Sequence, residues 1–316
     1  MKRIANIPMR MTLTAWALCA GVVPAMAATQ ASAKLETVAA VPHATKKAVV
    51  YDLATLDTMQ TLGIPVAGVP KAQFPKYMAG YGDAKYVVAG SLFEPDYDAL
   101  SKIKPDLIIV GGRSAAKAEV LGKVAPTLDF SVKPASMLQD MERNITKIAE
   151  MYGKQAQGKA LVAKINQEVQ ELRQLSSQAA PGLLLMAVNE KIMPNAPGTR
   201  YGFLSDVLGT KSALTPQHNP PRGTAYTFND VAKLNPAWIY VIDRNTGTGS
   251  AAGGGAIIPS QQVFDNAQVK ATTAGQKGQV VFLDPKGWYL MGSTGPTALL
   301  NNVAQLKQAY RAAGLQ

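Results

Sequence analysis

Twice in this chain a proline is followed by an uninterrupted apolar run and then, eight residues past the proline, by an arginine. The copies are Lys104-Pro105-Asp106-Leu107-Ile108-Ile109-Val110-Gly111-Gly112-Arg113 and Asn235-Pro236-Ala237-Trp238-Ile239-Tyr240-Val241-Ile242-Asp243-Arg244. A run that is apolar at every residue, rather than at alternate ones, suits a strand covered on both faces, as in a parallel sheet flanked by helices. Ligands of such sheets sit beyond the carboxyl ends of the strands, where both arginines fall. The repeat therefore predicts an α/β fold of two lobes, each offering one arginine to a shared cleft that receives an anion.

The remaining chain keeps the same rhythm. Apolar runs predict first-lobe strands at 47–51, 66–69, 86–89, 106–111 and 127–130. Helical spacing of Leu53, Leu56, Met59 and Leu62 predicts a helix stopped by Gly63. Met137, Met141, Ile145, Ile148 and Tyr152 predict a helix over 136–152, with Ser136 and Gln139 as its capping box. It lies between the two copies of the repeat and is the expected inter-lobe connector. A further helix near 154–177 follows. Strands at 182–188, 238–242 and 280–283, a glycine-rich loop at 250–259 and a terminal helix at 296–312 complete the second lobe. The expected division is an N-terminal α/β lobe at 28–135, a connecting helix at 136–152 and a C-terminal α/β lobe at 153–316.

Residues 1–27 have the form of a secretory signal peptide: Lys2, Arg3 and Arg10, then an apolar stretch, then Ala25-Met26-Ala27. The lone cysteine, Cys19, falls inside it and follows Leu18, where a lipid-acceptor cysteine is preceded by a small residue. A mature chain starting at Ala28 would hold no disulfide and no thiolate chemistry, and its expected place is the periplasm. Of the formal charge of +11, three positives lie in the signal, which leaves +8. The lysines are scattered rather than clustered, which argues against nucleic acid and for a general attraction to anions.

Enzyme signatures are absent: there is no Gly-x-Ser-x-Gly, no His-Glu-x-x-His and no phosphate loop. The two histidines, His43 and His218, do not make a site of several imidazoles. Arg113 and Arg244 stand out through the repeat, and Arg200 through Gly198-Thr199-Arg200-Tyr201-Gly202-Phe203. A guanidinium is permanently charged and planar, and binds oxyanions through paired hydrogen bonds. Tyr289 follows the last strand, at the same rim; its phenolate form is a hard oxygen donor.

These residues resemble the periplasmic substrate-binding proteins of ferric-siderophore ABC importers, in particular the ferric-catecholate group with its petrobactin- and enterobactin-type binders. The resemblance runs over about 43–316. It rests on Val49-Val50-Tyr51-Asp52-Leu53-Ala54-Thr55-Leu56-Asp57-Thr58, on Lys104 to Ile109, on Arg200-Tyr201-Gly202-Phe203-Leu204-Ser205-Asp206-Val207-Leu208-Gly209, on Asp243-Arg244-Asn245, and on Asp284-Pro285 with Trp288-Tyr289-Leu290. It implies a monomeric binding protein, not an enzyme, without intrinsic cofactor. Its ligand would be Fe(III) carried as a catecholate siderophore complex, delivered to an inner-membrane ABC permease. It further implies ligand binding by Arg113, Arg200, Arg244 and Tyr289, with Tyr289 able to ligate iron. The family's Gly-Thr-His phrase reads Gly223-Thr224-Ala225 here, so a second metal ligand would fall to His218 or Tyr226. Permease docking would use one acidic residue per lobe, Asp98 (or Glu94) and Asp230. Alternative readings are a haem or corrinoid carrier of the same fold and, more remotely, an exported α/β hydrolase.

Overall fold

The apolar runs become the inner strands of two separate sheets. The structure is a computed structural model that describes residues 47–214, 221 and 224–316; the expected signal peptide, His43 and His218 lie outside the described residues. The first sheet holds β1 (Ala48–Val50), β2 (Gly68–Lys71), β3 (Val87–Ser91), β4 (Leu107–Val110) and β5 (Thr127–Asp129) in the order β3-β2-β1-β4-β5, all parallel. Its helices are α1 (Leu53–Thr61), α2 (Tyr97–Ile103) and α3 (Ala118–Leu121). The chain then passes through α4 (Met137–Met151) and α5 (Gln155–Gln178) to the second sheet.

That sheet is built from β6 (Gly182–Val188), β7 (Lys191–Pro194), β8 (Trp238–Asp243) and β9 (Val280–Leu283), in the order β7-β6-β8-β9. β8 lies parallel to both β6 and β9, in register Leu185 with Val241 and Tyr240 with Val281. β7 is an antiparallel edge strand, and no apolar run announced it. Around the sheet lie α6 (Phe203–Asp206), α7 (Phe228–Leu234), α8 (Arg244–Thr248), α9 (Ser260–Phe264), α10 (Ala267–Ala271), α11 (Thr273–Gln276), a π-helical turn at Lys286–Leu290, and α12 (Pro296–Ala312).

Both copies of the proline phrase start with the same backbone device. Lys104 (φ 52°) and Asn235 (φ 45°) adopt the left-handed conformation and close α2 and α7 with bonds from their N–H groups to Leu100 and Val231 carbonyls. The proline that follows cannot extend a helix. Every residue of β4 and β8 is then buried, as two-sided cover requires.

α5, 24 residues and about 36 Å long at 1.5 Å per residue, is the long helix linking the lobes. α4, the connector expected from its apolar stripe, leads into it through a turn at Gly153 (φ 66°) and packs on α1 and α5. The expected capping box is not formed. The Ser136 hydroxyl instead donates to Asp140 Oδ2 at 2.8 Å, which also accepts the Lys133 N–H at 2.9 Å, while Gln139 is exposed. A carboxylate one turn inside the helix outcompetes the neutral amide.

The largest apolar core is shared between the lobes. It joins Val50 and Ile109 of the first sheet to Tyr240 and Leu283 of the second through Met141, Ile145, Ile165, Leu299 and Val303 of α4, α5 and α12. The outer faces of the sheets bury separate clusters, around Ile108 and Val110 in one lobe and Val241 and Phe264 in the other.

Candidate ligand-binding cleft

Each rim residue is held by its own local device. Arg113 follows β4 through Gly111 and Gly112. The left-handed Gly112 (φ 46°) turns the chain, and its N–H donates to the Ser131 hydroxyl beyond β5 at 2.9 Å. Arg244 opens α8. The preceding Asp243 caps that helix, accepting Thr246 N–H at 2.9 Å with one oxygen, and the Thr246 hydroxyl and Ser260 N–H with the other. The Arg244 guanidinium donates to Asn245 Oδ1 and to the Ser250 carbonyl, both at 3.1 Å, which ties it to the start of the glycine-rich loop. Arg200 sits on a turn whose Gly198 N–H is held by Asp206 Oδ2 at 2.7 Å.

Tyr201 packs against two of the rim side chains, Arg200 and Tyr289. It is 4% exposed, with the Arg200 guanidinium carbon 5.1 Å from its ring centroid and the Tyr289 ring stacked on it at 5.9 Å and 22°. Burial pushes its phenol up to about 12, against the opposing pull of Arg200, Arg113 and Arg244. Arg113 is itself lowered, by burial first and then by Arg200. Two guanidinium groups near enough to disfavour one another mark a site prepared for negative charge.

A cavity of about 430 Å³ opens between the lobes at this rim, within the ordinary range for small-molecule sites. Arg113, Arg200 and Lys133 supply cations to its wall; Leu92, Phe130 and Met291 are among its apolar residues. Arg244, Tyr289 and Tyr201 are not on that wall; Tyr201 and Tyr289 stack on one another beside Arg200, which is. Asp52 is on it. Its Oδ2 caps α1, accepting the Thr55 N–H and hydroxyl at 2.8 Å each. Burial raises its carboxyl, while the Thr55 bonds and Arg113 act the other way.

Sequence reasoning therefore missed Lys133 and Asp52 as lining residues, and Tyr201 as the ring on which Arg200 and Tyr289 pack. Lys133 lies past the end of β5 and obeys the same strand-end rule as the arginines. Asp52 and Tyr201 lie inside segments already singled out, but nothing in their spacing separates a lining residue from a packed one. Among the described residues, no three His, Cys, Asp or Glu side chains gather into a metal cage. Asp98 is exposed in the first turn of α2. Asp230 is the third residue of α7 in a capping box, its Oδ2 accepting the Thr227 N–H at 2.9 Å and hydroxyl at 2.7 Å. Those bonds hold its carboxyl below the usual range. Glu94 is paired with Lys117 at 2.8 Å.

Comparison with known proteins agrees with this geometry. The sequence profile described as "Periplasmic binding protein" matches residues 48–286. The petrobactin-binding protein YclQ of Bacillus subtilis is 33% identical over 255 residues, 80% of this chain and 78% of that protein. Its crystal structure is similar with a TM-score of 0.77 at 31% identity, covering 85% of this chain and 93% of the other. The periplasmic catecholate-siderophore binding protein VctP of Vibrio cholerae gives a TM-score of 0.76 at 25% identity, covering 84% and 94%. The ferric-anguibactin-binding protein FatB of Vibrio anguillarum is 25% identical over 313 residues, 93% of this chain and 94% of that one.

Two α/β lobes on a linking helix, with a cationic cleft between them, define a substrate-binding protein of an importer rather than an enzyme. The chain belongs to the Periplasmic binding protein family.

Proposed function

We propose that this protein captures a ferric siderophore of the catecholate type in the periplasm, after cleavage of residues 1–27, and delivers it as a monomer to an inner-membrane ABC permease. The observation that carries the reading is a cavity between the lobes with three cations, Arg113, Arg200 and Lys133, on its wall, the first two near enough to disfavour one another. A ferric tris-catecholate carries about three negative charges, and the permanently charged guanidinium groups of Arg113, Arg200 and Arg244, together with Lys133, offset these and donate hydrogen bonds to its oxygens. Relatives that bind petrobactin, catecholate siderophores and ferric anguibactin support the substrate class.

Iron is cargo here, bound chiefly by the siderophore. Tyr289 is the protein's candidate donor to it, with His218 as a second. Asp98 and Asp230 are the candidate permease contacts, one per lobe. The test is the visible spectrum of the protein mixed with ferric siderophore and passed through a desalting column. A retained broad charge-transfer band supports the proposal. Loss of all colour contradicts it, and a sharp Soret band in protein as purified from cells would reassign the cleft to haem.

A further inference from the structure

The Tyr201 hydroxyl is buried and has no hydrogen-bond partner among the described residues. A phenol shut away from water without a partner is costly, and native structures rarely keep one without a use for it. Its surroundings point to that use. Its neighbour Arg200 lines the cavity with Arg113, and its ring is covered by Tyr289 and Arg200, which keep the phenol itself off the cavity wall. Arg200 is exposed and Tyr289 is half-buried, so both covering side chains have room to move, whereas Tyr201 is fixed in the core.

We propose that Tyr201 is a further ligand-binding residue, whose neutral phenol donates a hydrogen bond to an anionic oxygen of the bound ferric catecholate once Arg200 and Tyr289 turn onto the ligand. The inference rests on the ferric-catecholate reading of the cleft. The phenol is suited to donate because its hydroxyl hydrogen has no acceptor among the described residues. It would divide the labour between two stacked tyrosines, with Tyr289 approaching the metal and Tyr201 an oxygen of the organic ligand.

The test is Tyr201→Phe, which removes the hydroxyl and keeps the ring. Wild type and variant are titrated with a ferric hexadentate tris-catecholate, followed by quenching of tryptophan fluorescence, and both are melted without ligand. The expected result is a pair of opposite effects: binding weakened about 5- to 10-fold, and a ligand-free melting temperature unchanged or raised, because an unsatisfied group has gone. Equal affinity of the two proteins would overturn the role of Tyr201 while leaving the functional reading intact. A lowered melting temperature in the ligand-free variant would also overturn it, since the hydroxyl would then serve the fold. Failure of the wild type to bind the complex would remove the functional reading itself.

Discussion

At the residue scale, the arginines of this cleft differ in how far they are committed before a ligand arrives. Arg244 already spends donors on Asn245 and Ser250, Arg113 is half-buried, and Arg200 is exposed over the Tyr201 ring. Replacing any one of them by alanine is expected to weaken ferric tris-catecholate binding by about 1–3 kcal/mol, the range for hydrogen bonds to charged groups. A neutral ferric hydroxamate should lose less, and equal losses in a parallel titration would mean that the arginines only shape the cavity. Tyr289 packs on Tyr201 rather than lining the cavity wall, so it must turn outward to reach iron. Tyr289→Phe is expected to shift the charge-transfer band and reduce affinity for a tetradentate ferric catecholate, whose iron has two open positions. It should leave a hexadentate complex almost unchanged. The strand-end positions of Arg113 and Arg244 were legible from spacing alone, and those of Arg200 and Tyr289 from the segments that carry them. Tyr201 was not, because a phenol's role depends on whether its hydroxyl finds a partner after folding, and sequence does not record that.

At the element scale, the strand ends were legible because continuous apolar runs and left-handed helix stops are local signals. β8 and β4 fall where the proline phrases put them. β7 was invisible: Lys191-Ile192-Met193-Pro194 is short, ends in proline and pairs only along one edge. The same limit hid the approach of α8 to the turn carrying Tyr289. A Cβ at Gly247 would stand 2.7 Å from the Pro285 carbonyl oxygen and 3.1 Å from the Tyr289 Cβ, so the missing side chain allows α8, which opens at Arg244, to pack against the turn that carries Tyr289. Gly247→Ala is expected to push the two elements apart, lowering the melting temperature and weakening ligand binding together. Unaltered binding would show that their spacing is not critical. Asp230 has a structural duty as a helix cap, so a fair docking test uses Asp230→Asn, which retains a capping oxygen, with Asp98→Lys. Uptake by cells should fall sharply while affinity for the ferric ligand in vitro stays the same; normal uptake would remove both residues from the interface.

At the scale of the whole molecule, the lobes are clasped below the cleft. Asp57 of α1, fully buried, reaches the start of α12, where its Oδ2 accepts the Ala298 N–H at 3.0 Å and the Tyr77 hydroxyl at 3.2 Å. Gly295 leaves room for it, and Lys286 adds a bond to the Phe74 carbonyl at 2.9 Å. Together with the shared core, these contacts restrict how far the lobes can part. Burial raises the Asp57 carboxyl to about 6 from its ordinary 3.8. A raised carboxyl contributes stability that is full below the unfolded value and is lost as pH rises through the folded one, here about 3 kcal/mol between pH 4 and pH 7. Asp57→Asn should therefore gain on wild type in urea-unfolding free energy as pH rises across that window; parallel profiles would contradict the assignment. None of this clasp was legible from Asp57 and Gly295 themselves, which lie 238 residues apart in sequence and meet only in the folded chain. The cleft's purpose is tested most directly by one fluorescence-quench titration of the mature protein against a ferric tris-catecholate, its iron-free form and a neutral ferric hydroxamate. Tight binding of the ferric catecholate, weakened by salt and well above the other two, is the predicted result. Preference for the hydroxamate, or no binding of any ferric complex, would contradict it.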